Sequence, residues 1–317
     1  VAATIYDIAK ITGYNPGTVS RALNGDARVA EKTREKIQSV GLQLGYVPNL
    51  AAKILITGRS KILAVVSGSW TGGPMNALMM GTNRILMQRG YLLMSLLHNN
   101  LEQFRMCMNR LKCGFCDGAI LHSPPRNYGK IPEFEQLRKS GYPLVCFDQW
   151  IPDLPFPVVT NDARKSIALL TEKFLETGVD GAFLRFDKGN TVGAWRHRCA
   201  VRLLRKAGIP CTDEEERIPE LIRERRIRNL GIFADSPSGL DTLEKYLPTG
   251  RNRPRCTGGI FDPWNRQVPA FISPAFRCVQ DIEGESELAI KMLFDMMDGK
   301  EIGTDRVLLP PKEILTT

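Results

Sequence analysis

Thr18, Ser20, Arg21 and Asn24 stand together in the stretch Tyr14-Asn15-Pro16-Gly17-Thr18-Val19-Ser20-Arg21-Ala22-Leu23-Asn24-Gly25. All four carry hydrogen-bonding side chains, the kind that can meet phosphate oxygens and the edges of bases. Chemistry of that sort needs a rigid carrier, and the flanking residues supply one. Asn15 suits a helix N-cap, because its side-chain oxygen accepts from a free first-turn N–H. Pro16 then falls at the first helical position, where its missing N–H costs nothing. Val19 and Leu23, four apart, face inward and leave Thr18, Ser20 and Arg21 elsewhere on the helix. Upstream, Thr4-Ile5-Tyr6-Asp7-Ile8-Ala9-Lys10-Ile11 predicts another short helix. Thr4 is its cap, Asp7 stands at the capping-box position, and Gly13 closes it. Two short helices joined by a tight glycine turn predict a helix-turn-helix, whose second helix enters the major groove of DNA.

A third helix is expected from Arg28 to Leu44-Gly45-Tyr46, followed by Pro48-Asn49-Leu50 and the run Ala52-Lys53-Ile54-Leu55. At this point the motifs T-I-Y-D-I-A-K, T-V-S-R-A-L-N-G, T-R-E-K-I, L-G-Y-V-P-N and A-K-I-L-x-x-G-R-S have appeared in order between Thr4 and Ser60. The series resembles the DNA-binding headpiece of the LacI/GalR family of bacterial repressors, without a gap.

The resemblance implies particular contacts. Arg21 is the first expected base or phosphate contact, followed by Ser20, Thr18 and Asn24, with Thr4, Tyr6 and Asn49 as the further contacts. Residues 50–56 would be the family's hinge, helical when two copies dock side by side in the minor groove. Leu55 matches the side chain that wedges between base pairs, Ala52 the small residue that permits close approach, and Lys53 a position often held by Arg. A plain interdomain linker would also be rich in Ala and Lys. In one respect the chain departs from the pattern. Pro16 and Gly17 occupy positions from which family members present side chains to base edges, and neither can form a side-chain hydrogen bond. Discrimination then falls to Thr18, Arg21, the hinge and DNA shape.

Composition agrees with a globular chain of more than one domain: 317 residues, 43% hydrophobic and 24% charged. The net charge of +9 fits a polyanionic partner, and the first 60 residues are its densest part, with eight Lys or Arg against four Asp or Glu. No apolar run is long enough to span a bilayer, so no membrane partner is expected. The N-terminus shows no basic segment leading into an apolar one, so no signal peptide is visible and the cytoplasm is the expected location. The eight cysteines (Cys107, Cys113, Cys116, Cys146, Cys199, Cys211, Cys256 and Cys278) are then expected as reduced thiols, several of them in the core. Cys113-Gly114-Phe115-Cys116 has the spacing of a redox pair or half a zinc site. It lacks a second ligand pair, however, and it follows a helix instead of opening one. No metal and no cofactor are expected.

From Ile62 onward short apolar runs alternate with amphipathic helices. Strands are predicted at Ile62–Val66, Leu92–Leu97, Gly118–Leu121, Leu144–Phe147, Val158–Thr160, Ala182–Phe186, Gly231–Ala234 and Gly259–Phe261. Helical patterns lie at Met75–Arg89, Leu101–Lys112, Pro132–Ser140, Arg164–Glu176, Trp195–Ala207, Pro219–Arg226, Leu240–Tyr246 and Gly284–Met297. Such alternation predicts parallel sheets covered on both faces, and two such units in tandem make two lobes with a crevice beyond the strand ends. The expected fold class is therefore an all-α helix-turn-helix headpiece joined to an α/β core of two doubly wound parallel-sheet lobes, like a periplasmic binding protein. The division is residues 1–47 for the headpiece, 48–60 for hinge helix and linker, and 61–317 for the effector-binding and dimerisation core.

A sugar needs paired donors and acceptors in a dry cleft, which carboxylates, amides and guanidinium forks at strand ends provide. By resemblance the expected effector contacts are Asp148, Asn161, Arg196 and Asp262, although each could simply cap a helix or pair at the surface. Gln149 replaces a customary Arg and Cys199 a usual Gly, and Asp235-Ser236-Pro237 lacks the family's Asn-Asp pair. The implied function is a sequence-specific DNA-binding transcriptional regulator, a repressor of carbohydrate genes. It would act as a homodimer on a pseudo-palindromic double-stranded operator, controlled by a small sugar or sugar-phosphate effector. Alternatives are a solute-binding protein or a family member that no longer answers to a sugar. An enzyme has little support: G-x-S-x-G, Walker A and H-E-x-x-H are all absent, and His98, His122 and His197 are the only histidines.

Overall fold

The fold is given by a computed structural model, which describes all residues except 1–2, 49–53, 55–56, 69–72, 123, 125–130, 150–153, 155, 262–266, 304–305 and 317, together with the side chains of 73 and 74. The chain divides into two compact units, residues 1–60 and 61–317.

Among its described residues the first unit has three full helices: α1 (Ile5–Thr12), α2 (Pro16–Leu23) and α3 (Glu31–Gln43). Local chemistry sets its ends. Thr4 and Asp7 form a reciprocal capping box on α1, and Gly13 takes the left-handed conformation (φ 78°) that stops it. The Asn15 side chain accepts from the Thr18 N–H at 2.8 Å, and Pro16 opens α2. Ile8, Val19, Ala22, Val29 and Ile37 form the core, with Tyr14, Leu23 and Tyr46 packed against it. This small core leaves the unit dependent on its caps. Asn15→Ala is expected to cost about 1 kcal/mol. In calorimetry of the full chain the headpiece transition should shift down by about 4–8 °C, the response of a domain of roughly 60 residues.

The second unit contains two six-stranded sheets. In the first the order is β11-β5-β4-β3-β1-β2, with β1 at Ile62–Ser67, β2 at Leu92–Leu97, β3 at Gly118–His122, β4 at Leu144–Phe147, β5 at Val158–Asn161 and β11 at Arg306–Leu309. In the second it is β12-β10-β9-β8-β6-β7, with β6 at Gly181–Arg185, β7 at Cys211–Thr212, β8 at Asn229–Ala234, β9 at Arg255–Ile260, β10 at Ile272–Val279 and β12 at Glu313–Thr316. Among the described residues every pairing is parallel except β10 with β12. Helices cover both faces: α4 (Gly73–Gln88), α5 (Leu101–Lys112), α6 (Pro132–Lys139) and α10 (Ile282–Met297) on the first sheet, α7 (Ala163–Glu176), α8 (Thr191–Lys206) and α9 (Ile218–Arg225) on the second. That explains why β1, β3, β4 and β8 are buried along their whole length and read as continuous apolar runs. Close approach is built in where α7 meets the second sheet. Phe174 lies 4.4 Å from the Phe233 ring, and a Cβ on Gly231 would come within 2.5 Å of it, so only glycine admits that ring.

Three differences from the sequence reading concern elements whose partners are remote. β7, β10, β11 and β12 were not expected; β7 is only two residues long, and the other three come from the last part of the chain, which returns to one sheet and then the other. Leu240–Tyr246 is a run of 3-10 turns, held against the second sheet by Leu240 and Leu243, and not an amphipathic α-helix. Helix α8 starts at Thr191, four residues before the expected Trp195, because Asn190 caps it through the Gly193 N–H at 2.7 Å.

Candidate nucleic-acid interface and ligand cleft

On the headpiece, α2 buries Val19 and Ala22 and turns its other side outward. Gly17, Arg21 and Asn24 are exposed, Pro16, Thr18 and Ser20 half-buried. Arg21 donates its Nε–H to the Gly17 carbonyl at 3.2 Å, and Asn24 its side-chain amide to the Ser20 carbonyl at 2.8 Å. Both bonds are exposed and made within the helix, so the side chains can exchange them for an outside acceptor at small cost. Tyr6 is 68% exposed on α1, beside the exposed Thr4. The Thr4 hydroxyl also donates to Asp7 at 2.7 Å and helps hold that carboxyl below the usual range. Asp26 and Arg28 fix the turn between α2 and α3 through a 2.6 Å ion pair. Asn49, Ala52, Lys53 and Leu55 lie outside the described residues, as does Asp262.

In the second unit the strands of both sheets end at one cluster of polar side chains. Ser67 closes β1, His122 closes β3, Asp148 follows β4 and Asn161 closes β5. From the second sheet come Asp235 after β8 and Phe261 after β9, with Arg196 from α8. Arg196 is the link. It donates to Asp235 at 2.6 Å and to Asn161 at 3.4 Å, and its guanidinium lies 4.1 Å over the Phe261 ring. It is 7% exposed, so the bond to Asn161 joins the two lobes in a nearly dry setting. The approach of α8 depends on Gly193, since a Cβ there would overlap the Asp187 carbonyl oxygen. Asp187 in turn donates its N–H to Asp235 at 2.8 Å.

Asp148 has φ of 61°, a left-handed conformation that non-glycine residues seldom adopt. Its N–H donates to the Val159 carbonyl at 2.9 Å, and its carbonyl accepts from the Thr160 hydroxyl at 2.6 Å. These bonds to β5 hold the strained residue and aim its carboxyl. Burial pushes that carboxyl up to about 6, against the lowering effect of Arg196, with Asp235 raising it further. Beside it, His122 lies 4.0 Å from Asp148 through Nε2 and 3.0 Å from the Ser67 hydroxyl through Nδ1. A serine, a histidine and an aspartate in that order invite comparison with a nucleophile and its base. Burial pushes the His122 ring down to about 4, and Ser67 is 1% exposed, so no substrate carbonyl can reach the hydroxyl. Ser67 and His122 make a neutral polar floor next to the Asp148 carboxyl.

Of the four expected effector residues, the structure brings Asp148, Asn161 and Arg196 together. Sequence reasoning had set Asp235 aside as a departure from the family, whereas it holds the arginine. It also missed Ser67, His122 and Glu285. Glu285 had a signal, since it lies three residues after Ile282 and four before Ala289 and so shares their apolar face. It is 1% exposed, and burial with the Asp148 charge nearby pushes its carboxyl up to about 9, despite the opposing effect of Arg196. Two further polar atoms, Nδ2 of Asn161 and Nε of Arg196, are buried without a hydrogen-bond partner among the described residues. Unpaired groups around one set of strand ends suit a polar ligand.

The Cys113–Cys116 pair is unsuited to redox work. Cys116 is buried, with its thiol pushed up to about 11, and Cys113 donates to the Asn109 carbonyl at 3.3 Å. Among the described residues no group of three His, Cys, Asp or Glu could hold a metal ion, and no helix is long and apolar enough to cross a membrane.

Comparison with known proteins places these features. Residues 4–49 match the family described as bacterial regulatory proteins, lacI family. The chain is 24% identical over 209 residues to the HTH-type transcriptional regulator DegA of Bacillus subtilis, 65% of this chain and 62% of that one. It is 26% identical over 328 residues to catabolite control protein A of Priestia megaterium, 97% of this chain and 96% of that one. With DegA and with KdgR of the same bacterium, the match spans only 62% and 58% of the relative's length. In fold, a lac repressor dimer bound to operator and the anti-inducer ONPF superposes with a TM-score of 0.75 at 18% identity, covering 100% of this chain and 98% of that one. A complex of the transcriptional regulator CelR with cellobiose gives 0.61 at 20% identity, over 99% and 98% of the two chains. Residues 4–49 thus form a headpiece of the kind described for the lacI family of bacterial regulatory proteins, on a chain that shares the lac repressor fold.

Proposed function

We propose that the chain is a DNA-binding transcriptional regulator that grips a pseudo-palindromic duplex as a homodimer and represses carbohydrate genes. Its affinity for DNA is set by a small polar ligand held between the core lobes. The observation that carries this reading is α2: a capped, rigid helix that buries Val19 and Ala22 and leaves Thr18, Ser20, Arg21 and Asn24 on its outer side. Phosphate contacts supply the affinity, and Arg21 supplies a large share of the base discrimination that Pro16 and Gly17 cannot. The hinge residues Asn49, Ala52, Lys53 and Leu55 add minor-groove contacts on this reading. Ligand control follows from linkage. Arg196 and Asn161 join the lobes, so a ligand that competes for either changes the lobe equilibrium, and with it the state of the chain leading to the headpieces. Relatives with known ligands support the class, since CelR is solved with cellobiose and a Pseudomonas putida Cra with fructose 1-phosphate.

The test is selection of duplexes from a random pool by the full chain, followed by gel shifts across a salt series. A two-fold symmetric sequence should be enriched, and its affinity should fall steeply with salt. Arg21→Ala should weaken that sequence by about tenfold to a hundredfold, the worth of one good base contact. Enrichment of no symmetric sequence, even at low salt, overturns the reading.

A further inference from the structure

Positive charge gathers at a second place, where the strands of the second sheet begin, at the opposite end of that sheet from the cleft. A cavity of about 670 Å³ opens there, rimmed by Arg223, Arg226, Arg228, Arg251 and Arg253. The rest of its lining is mostly apolar, from Pro219, Ile222, Ile227 and Pro248. Three segments bring the arginines together. Helix α9 turns Pro219, Ile222 and Arg223 to one side, and Arg226 ends it in the left-handed conformation (φ 54°). The chain then turns sharply, with the Ile227 N–H donating to the Ile222 carbonyl at 3.0 Å, so Arg228 stays beside the helix end. The Arg228 carbonyl accepts from the Arg255 N–H at 2.9 Å, which sets the start of β9 beside the start of β8. Arg251 and Arg253 belong to the 3-10 turn at Gly250–Asn252 and its cap, just before β9.

All five arginines are exposed, and no Asp, Glu or Lys lines the cavity among the described residues. Arg253 donates to Glu244 at 2.6 Å, so that one is engaged. Arg223, Arg226, Arg228 and Arg251 form no ion pair among the described residues. The nearby carboxylates have other partners: Asp180 accepts from the Arg228 and Asn229 N–H groups, at 3.0 and 2.9 Å, and Glu220 lies 3.9 Å from Arg217. Glu224 follows Arg223 on α9 but does not line the cavity. Setting Asp180, Glu220, Glu224 and Glu244 all against the five arginines still leaves positive charge in excess. The end of α9 explains only part of it. A helix C-terminus carries about half a negative charge, which a single cation offsets. Arg228, Arg251 and Arg253 come from outside the helix. Like charges around one concavity repel one another, and a bound anion relieves that repulsion.

We infer that this cavity binds a chain of phosphates, as carried by a nucleoside triphosphate or an inorganic polyphosphate, at a site separate from the cleft and from α2. Guanidinium forks pair with phosphate oxygens two at a time, which an ammonium cannot do. One phosphate engages one or two forks and leaves the others repelling. A chain of phosphates reaches several. The cavity has the size of a small-molecule site, and a stiff duplex meets an open surface more readily than it enters a recess. The apolar lining offers a nucleoside a surface to lie on, and the Asn252 amide can donate and accept at its edge.

Calorimetry of the full chain in magnesium-free buffer tests this with inorganic tripolyphosphate, ATP, GTP, inorganic phosphate and citrate. Tripolyphosphate or a nucleotide should bind at least about tenfold more tightly than phosphate or citrate. A nucleotide ahead of tripolyphosphate makes this a nucleotide site, and the reverse order makes it a site for the inorganic chain. Arg223→Ala combined with Arg251→Ala should weaken the binding about tenfold or more. Arg225→Ala combined with Arg255→Ala removes the same charge from two exposed arginines outside the lining, and should change it by less than about threefold. A polyanion held by the headpiece would not distinguish the two pairs. The proposal is overturned if phosphate or citrate binds as well as the phosphate chains, if the two double variants behave alike, or if no probe binds. It is also overturned if the Arg223 and Arg251 changes lower duplex affinity while no phosphate chain binds the parent protein, which makes the patch a nucleic-acid surface. The duplex selection decides the DNA-binding reading separately, because α2 and this cavity lie in different units.

Discussion

Arg196→Ala is expected to destabilise the two-lobed unit by about 3 kcal/mol, near the lower end for a broken buried pair because Asp235 is a quarter exposed. The loss has three sources. The Asp235 carboxylate keeps its charge but loses a partner at 2.6 Å, Asn161 loses its donor at 3.4 Å, and the Phe261 ring loses the guanidinium stacked 4.1 Å above it. Asp148 and Glu285 also lose the cation that lowers both of them. Denaturant unfolding of the full chain checks the magnitude, and a loss under about 1 kcal/mol would mean that the pair is solvated. Arg196→Lys should recover only part of the stability, since an ammonium restores the charge but cannot reach Asp235 and Asn161 together while stacking on Phe261. Ligand binding in the cleft should be lost in Arg196→Ala whatever the ligand class, because the variant removes the side chain that ties Asn161 to Asp235 across the lobes.

The second large effect is on pH. Glu285 is pushed from its ordinary 4.5 up to about 9, chiefly by burial, with Asp148 and Asp281 raising it and Arg196 opposing. Between those two values the folded chain holds a proton that the unfolded chain has released. Stability from this group is therefore complete below about pH 4.5 and is lost as pH rises towards 9. A tenfold difference in proton affinity between the folded and unfolded chain corresponds to about 1.4 kcal/mol, so the full window amounts to several kcal/mol. Asp148 acts in the same direction over a narrower range, from 3.8 to about 6. The groups facing this pair are Arg196 from α8, His122 at the end of β3, Asp235 after β8 and Asp281 at the cap of α10. At the acid end the exposed core carboxyl of Glu135, which Arg138 holds low, loses its contribution as it protonates. The melting temperature of the core should therefore be highest near pH 5 and decline steadily to pH 9. Glu285→Gln, which cannot ionise, should flatten most of that decline. An unchanged slope in the variant would remove Glu285 as its source.

Both effects come from side chains that one-dimensional reading weighs poorly. The headpiece was legible in detail because its determinants are local. Thr4 with Asp7, Asn15 with Pro16, and Gly13 each act within one helical turn, and the structure shows each cap bond in the expected place. The alternation of strands and helices was legible because parallel strands covered on both faces read as apolar runs. β11 and β12 were not, since an exposed edge strand has no periodic signature and takes its identity from a partner far away in the chain.

The cleft divides in the same way. Resemblance pointed to Asp148, Asn161 and Arg196, and the folded chain brings them within reach of one another. It could not show that Arg196 is already engaged by Asp235, 39 residues further on. Nor could it show that a glutamate on an apolar helix face, 137 positions from Asp148 by number, shares its field. The amino-acid sequence by itself determined the capped helices, the two-lobed α/β plan and the outward side chains of α2, because each depends on neighbours a few residues away. Only the tertiary structure decided the charge balance of the cleft, because that balance depends on burial and on distances between strand ends that no local pattern encodes.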